Sequence, residues 1–461
     1  MRRLLPVFSL VLVLALAAPA AAQQPHSLTP AALGELERSC PSDAPLRAAQ
    51  HALAQVDGDT LSENWEQITA VDPYFTLRLK DEKVTDQKET GRCWMFAALN
   101  LMRPAAAKRL GVADLELSQN YLFFFEKLEK ANLFLDEVTR TKDRPYSDRT
   151  VEFLFKQNVQ DGQNWLGFVQ LVDKYGVVPK EVMPETHSSS HSRHVARVLG
   201  LRLKRAAMEI RRAAAPAEAE AIRLAAMKDV YRILAINFGT PPKEFSWRYE
   251  TRDKKLTAAR TYTPQQFYRE VVGTVLDDYD CFYSVPTLAF DRKYEIDLDK
   301  VTSDGGNLYF VNIPLEAMKD LARKSLQDSS AVWFGCDVGQ ESNSGSGLMA
   351  PRLYDYESLY GTSFRLSRQD LFETYTDVPT HAMVFTGMDV ADGKVKKWLV
   401  ENSWGESRGR SGYFTMLDEW FDDYVQAIVV HRKYVPPQLA AVFKTQATVL
   451  PPWDPMYGRL R

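Results

Sequence analysis

The chain is poor in cysteine. Of its 461 residues only Cys40, Cys93, Cys281 and Cys336 are cysteine, too few for a disulfide framework at this length. It has no excess of charge of one sign. The formal net charge is −3, which gives no overall attraction for nucleic acid or an anionic membrane. Beyond the N-terminus no apolar run is long enough to span a bilayer, and there is no internal repeat. What remains is globular composition, 45% hydrophobic and 25% charged, with material for a large core. The length fits two or three domains or one elaborated enzyme fold.

The exception to the missing apolar runs is the start. MRRLLPVFSLVLVLALAAPAAAQQ has two arginines, an apolar stretch from Leu4 to about Leu16, then Ala20-Ala21-Ala22. That is the layout of a secretory signal with cleavage expected after Ala22; the alternative is an uncleaved anchor. The expectation is an exported protein, periplasmic or secreted, with no membrane segment after cleavage.

The rest of the chain reads helices first and strands later, which is an α+β fold, with a cleft between two lobes as the natural site. Residues 23–75 form an N-terminal arm with short helices. A helix starts near Cys93 and runs to about residue 112. A second, aromatic-rich helix spans Leu117 to Val138 with Ser118 as N-cap, and a third ends near Gly176. Residues 194–238 read as long helices broken near Pro216. From Asp280 the pattern turns to strands, including HAMVFTGMD, KKWLVENSW, GYFTMLDEWF and VQAIVVHRKYV, with a turn at Ala391-Asp392-Gly393. The expected limits are 76–200 for a helical lobe, 201–280 for a helical insertion, 281–435 for a β-rich lobe and 436–461 for a C-terminal arm.

Cys93 stands in DQKETGRCWMFAALN, at the mouth of an apolar helix. A helix N-terminus and a nearby imidazolium both favour a thiolate. Gln87, six positions earlier, can donate a side-chain N–H beside the Cys93 backbone N–H, and two such donors make an oxyanion hole. The plain alternative is a buried helix cysteine. If Cys93 is a free thiol, at most one disulfide forms among the other three. Cys336, in AVWFGCDVG, reads as a core residue, and a Cys40–Cys281 bridge is open.

Of the seven histidines, His381 opens the apolar strand THAMVFTGMD, and Asn402 in VENSWG falls on the next strand. The two can face each other across the hairpin. The Asn402 amide oxygen can then fix the ring, leaving its other nitrogen for Cys93. Trp404 can shield that bond from water. The rival cluster is HSSSHSRH, where His187, His191 and His194 are spaced i, i+4, i+7. It lacks an embedded HExxH or acidic partner, and a solvated polar segment is the expected reading rather than zinc.

Gln87, the GRCW around Cys93, the THAM around His381 and the ENSWG around Asn402 together resemble the papain superfamily of cysteine peptidases. LELSQNYLFFFEKLEKAN, KYGVVPKEVMPE, TPQQFYREVV, AVWFGCDVG, GYFTMLDEWFDDYV and the final LPPWDPMYGRLR resemble its bleomycin hydrolase and aminopeptidase C branch. The resemblance implies a papain-like two-lobed fold with a helical insertion and a C-terminal arm lying in the cleft. It implies a thiol aminopeptidase acting on peptides without metal or organic cofactor. Cys93 would be nucleophile, His381 general base and acid, Asn402 orienter and Gln87 an oxyanion donor. It also implies a hexameric ring, with the terminal carboxylate pairing with the substrate amine.

Two departures bear on specificity. The family commonly shows Asp-Gly-Gly-Gln-Trp where this chain has Asp161-Gly162-Gln163-Asn164-Trp165, so Gln163 is expected to reshape the subsites beside Asp161 and Gly162. Arg459 and Arg461 place positive charge beside the terminal carboxylate, which would weaken its hold on an amine. Asp161, Gly162, Gln163, Trp404 and Arg461 are the candidate substrate contacts. Acyl transfer to an amine, and an endopeptidase whose arm does not gate the cleft, are the neighbouring alternatives. A nucleic-acid role has little support from a nearly neutral chain.

Overall fold

The computed structural model describes residues 27–40, 43–79, 83–157 and 159–457. The expected signal segment, Arg459 and Arg461 lie outside the described residues. The chain divides into two compact units, Met1–Leu61 and Ser62–Arg461. In the first, helices Pro30–Ser39 and Ala44–Leu53 are capped by the side chains of Thr29 and Asp43. Cys40 is exposed and free.

The second unit is built on a long buried helix, Cys93–Leu110. Its sequence has no polar face, and a helix that is apolar all round must be buried. It ends at Gly111, whose left-handed φ of 66° suits glycine. The aromatic helix Gln119–Arg140 starts where expected: Ser118 Oγ accepts from the Tyr121 N–H at 3.1 Å. Helix Trp165–Tyr175 is capped by Asn164 and stopped by Gly176, where φ is 70° and a Cβ would fall on the Pro264 carbonyl. Helices Arg193–Arg212 and Pro216–Phe238 form a hairpin against the aromatic helix, broken before Pro216 as expected. The expected limit at 200/201 falls inside the first of these helices, and that at 280/281 falls inside strand Tyr279–Tyr283.

Among the described residues Phe245–Trp247 and Arg260–Tyr262 pair separately, and twelve strands form one sheet. Its centre runs Tyr279–Tyr283, Val425–His431, Val332–Cys336, His381–Ala391, Lys394–Glu401, Tyr413–Leu417. Alternation divides the core in two. Ala382 and Val384 face the cluster that contains the cysteine helix, while Met383 and Phe385 face a second cluster with helix Leu315–Gln327. Phe385 stacks on Phe334 at 3.8 Å between centroids. The His381 hairpin turns through Asp392 and Gly393, both at positive φ, 53° and 74°, which matches a two-residue turn of the type that follows strand twist. GYFTMLDEWF is a strand only to Leu417; Asp418–Tyr424 is helical. The acids Asp418 and Glu419 sit in its first turn, where the helix dipole favours them, and Trp420, Phe421 and Tyr424 share its buried side. At the sheet edge, Thr448–Leu450 pairs in parallel with Arg292–Ile296 and ties down the C-terminal arm.

Candidate active site

Cys93 is the first residue of its helix and is fully buried. Burial pushes its thiol up to about 12, against the pull of the backbone N–H groups of Ala382, Trp94 and Cys93 itself. The contact with Ala382 places the sulfur beside the strand that begins at His381. An isolated Cys93 would therefore be a neutral thiol at pH 7, and ionisation requires a base in the site.

His381 supplies a defined ring. It is buried, opens the strand His381–Ala391, and pairs in register with Cys336. Its Nε2 lies 2.9 Å from Asn402 Oδ1, and the Ser403 backbone N–H donates to the same oxygen at 2.7 Å. A backbone N–H can only donate, so it settles which end of the Asn402 amide is oxygen. His381 Nε2 must then carry the proton, and in the neutral ring Nδ1 is the basic nitrogen. The Trp404 ring covers His381 at 4.8 Å between centroids, beside the bond it was expected to shield.

Gln87 is held at three points. Its N–H donates to Ser403 O at 2.8 Å, and its Oε1 accepts from Ser403 Oγ at 2.7 Å. Its Nε2 donates to Thr90 O at 2.6 Å. That uses one of the two N–H bonds of the amide. The bridge between Asp86 and Trp404 brings the Gln87 loop against the Asn402 loop.

Asp161, an expected substrate contact, lines a cavity but spends its carboxylate on the protein itself. Its Oδ2 accepts from the Gly91 N–H at 3.0 Å and from Ser192 Oγ at 2.5 Å, and Oδ1 lies 2.6 Å from Lys127 Nζ. Burial would raise this carboxyl, but the Lys127 ammonium outweighs it and holds the group well below the usual carboxylate range. The Asp161 carbonyl accepts from Trp94 Nε1 at 3.0 Å. Asp161 thus ties the segment before Cys93 to the residue after it. Gly162 O accepts from Lys130 Nζ at 2.7 Å. Gln163 is bonded to its neighbour: its Oε1 accepts from the Asn164 N–H and Nδ2, both at 2.9 Å, and its chain lies over Gly167. It still lines a cavity shared with Gly162 and Tyr457. Arg461 lies outside the described residues.

Sequence reading missed the charges beneath the cysteine. Arg92, fully buried, makes a two-pronged bond to Glu185 at 3.1 and 3.0 Å and lies against the rings of Phe96 and Phe123. Lys127 and Lys130 meet Glu126 at 3.4 and 2.5 Å in the interior. The i, i+4 spacing of Glu126 and Lys130 reads as an exposed helix pair, and no local signal marks these residues as buried. The histidine cluster is split: His187–Ser190 is one turn, and His187 and His191 stack at 4.4 Å. Among the described residues no group of three or more possible ligands is placed to hold a metal ion. Cys281 and Cys336 are buried and, like Cys40, free, so the Cys40–Cys281 bridge left open is not formed.

Comparison with known proteins agrees with this geometry. The Peptidase C1-like family matches residues 27–457. Aminopeptidase C of Listeria monocytogenes is 36% identical over 398 residues, 86% of this chain and 90% of that protein. Human bleomycin hydrolase is 36% identical over 387 residues, 81% of this chain and 85% of that one. The crystal structure of PepW from Lactobacillus rhamnosis HN001 superposes with a TM-score of 0.91 at 38% identity, covering 94% of this chain and 99% of that one. With a cysteine at a helix start facing a histidine–asparagine hairpin, and likeness of this extent, the chain belongs to the Peptidase C1-like family, in the bleomycin hydrolase and aminopeptidase C branch of the papain-like cysteine peptidases.

Proposed function

We propose that this protein is an exported cysteine aminopeptidase that releases N-terminal residues from peptides through a thioester. The observation that carries the reading is the fixed His381 tautomer. Asn402 holds the Nε2 proton, which leaves Nδ1 as the base on the strand whose next N–H reaches the Cys93 sulfur.

Peptide cleavage follows from these groups. Nδ1 of His381 takes the thiol proton as the Cys93 sulfur bonds to the first peptide carbonyl carbon. The negative charge on the carbonyl oxygen is met by the Cys93 N–H, which has no intrahelical partner at this position, and by the second N–H of Gln87. The protonated imidazole gives its proton to the departing amine, and the C–N bond breaks. A water, deprotonated by His381, then attacks the thioester, the C–S bond breaks, and the amino acid leaves.

Exopeptidase action is supported by the C-terminal arm. Anchored at Thr448–Leu450, it packs Trp453 under the Arg149 guanidinium at 4.1 Å, buries Met456, and sets Tyr457 edge-on to Phe153 at 5.0 Å. Tyr457 there shares a cavity with Gly162 and Gln163, next in sequence to Asp161. In this reading, as the family resemblance implies, the arm stops an acyl group longer than one residue. Export rests on residues 1–22 and assembly into a homo-oligomeric ring on the family resemblance. Cell fractionation with N-terminal sequencing, and light scattering of the purified protein, test these two points.

The test of the activity is a panel of aminoacyl-fluorogenic amides and their N-blocked versions, assayed with dithiothreitol. Free-amine substrates should turn over, blocked ones should not, and Cys93→Ala should lose at least about 10⁴-fold in kcat/KM. Cleavage of blocked substrates would make the site an endopeptidase that the arm does not gate.

A further inference from the structure

A second cavity, of about 800 Å³, is lined in part by Glu89, Thr90 and Gly91, the segment that leads into Cys93. One wall is Thr90, Gly91 and Asp161; the other is the face of helix Arg193–Arg212 that carries Arg193, Arg197 and Lys204. These cations are spaced i, i+4, i+11, and so share one side of the helix, with the small residues Ala196 and Gly200 leaving room between the walls.

The chemistry of the step, as read above, says which part of a substrate lies here. His381 protonates the departing amine, so the leaving peptide lies on the His381 and Trp404 side. The acyl residue then lies on the other side of Cys93, toward the Thr90–Gly91 segment that precedes it and lines this cavity.

The charge of the cavity is uncompensated. Elsewhere on the same helix Arg202 pairs with Asp229 at 2.8 Å and Arg205 with Glu209 at 3.0 Å, while Arg211 donates to the carbonyls of Thr141 and Arg144. Arg193, Arg197 and Lys204 are exposed, and among the described residues none of them is in an ion pair. Arg197 only approaches His194 Nδ1, at 3.5 Å. Two acids line the cavity, Glu89 and Asp161. The Asp161 charge is already met by Lys127, which leaves Glu89 against three cations.

We propose that this cavity receives the side chain of the substrate's first residue and selects an acidic one, aspartate or glutamate. The inference rests on the aminopeptidase reading and adds the substrate class. A solvated cation contributes a few-fold in affinity, so three together favour the acid by about tenfold over its neutral isostere, and salt screens that preference.

The test compares kcat/KM for glutamyl and glutaminyl fluorogenic amides, and for the aspartyl and asparaginyl pair, at low and at 0.5 M (about 3–5 Å Debye length) salt. The expected result is a ratio of about 10 at low salt, falling several-fold at high salt, and dropping below 1 in the Arg193→Glu/Arg197→Glu/Lys204→Glu variant. Arg205→Gln, on the same helix with its side chain paired to Glu209, should leave the ratio as it is. Circular dichroism melting of the triple variant checks that it folds. If both members of each pair are cleaved with a ratio near 1 in the unaltered protein, the pocket assignment falls while the aminopeptidase stands. If no free-amine substrate is cleaved, both fall together.

Discussion

The two sides of the site are held in place by different physics. The cysteine side rests on buried charge: Arg92 with Glu185, Lys127 with Asp161 and Glu126, Lys130 with Glu126. The histidine side rests on a sheet, where register and neutral hydrogen bonds place His381 and Asn402. The cysteine must meet a carbonyl carbon to within tenths of an ångström from the point where a loop enters a helix, and the loop lacks a ladder to fix it. Ionic bonds to the Asp161 carboxylate and the Gly162 carbonyl supply the missing constraint. The cost is that such a network fails abruptly when one member is lost.

Three changes would break or sharpen this contrast. The largest effect is expected from Lys127→Ala, which leaves the Asp161 carboxylate without its cation, while Glu126 keeps Lys130. It should lower unfolding free energy by about 3–5 kcal/mol, read by chemical denaturation. A loss under 1 kcal/mol would show that the network does not hold the loop. Next is Asn402→Ala. With the sheet intact, stability should change little while kcat/KM falls about 10²-fold, near 2.7 kcal/mol in the transition state. An equal fall in stability would mean the sheet depends on the pair.

The smallest and most diagnostic is Asp377→Asn, in the turn that leads to His381. Burial pushes the Asp377 carboxyl up to about 8; Arg368 pulls it down, and Asp337 and Asp423 push it further up. Its Oδ1 accepts from Gln426 Nε2, while its Oδ2 and Gln426 Oε1 are buried without partners. A proton on Oδ2 can join those two oxygens. The folded chain therefore holds this proton more tightly than the unfolded chain does. Stability is full below about pH 4 and falls as pH rises through about 8. Asp161 has the opposite sign: its contribution is present above the ordinary carboxyl value and is lost only in strong acid. Asp377→Asn should flatten the decline between pH 5 and 8 and gain about 1–2 kcal/mol at pH 8. An unchanged slope would place the proton elsewhere.

Much of the site was legible because its members sit in strong local patterns. Cys93 precedes an apolar helix, His381 and Asn402 flank a turn with Asp-Gly at its tip, and Ser118 caps a helix where a capping residue was expected. What could not be read was direction. Asp161 lies in a segment where the family resemblance suggests contact with substrate, yet it faces inward, because its partners Lys127 and Ser192 arrive on other helices. Glu126, Lys127 and Lys130 have the spacing of a solvated face and are buried. Helix Asp418–Tyr424 reads as strand because its aromatic residues fit either period, and only its two leading acids argue otherwise.

The hairpin has one more consequence, in the order of assembly. His381 and Asn402 are 21 residues apart across a single turn, and hairpins of this kind close in microseconds. Cys93 joins them only when the helical half of the chain docks on the sheet, a contact of long sequence separation that closes late. The base and its orienter are thus in place before the nucleophile arrives. A chain still folding holds a histidine with no thiol to activate, and its own exposed segments are safe from it until the last long-range contact is made.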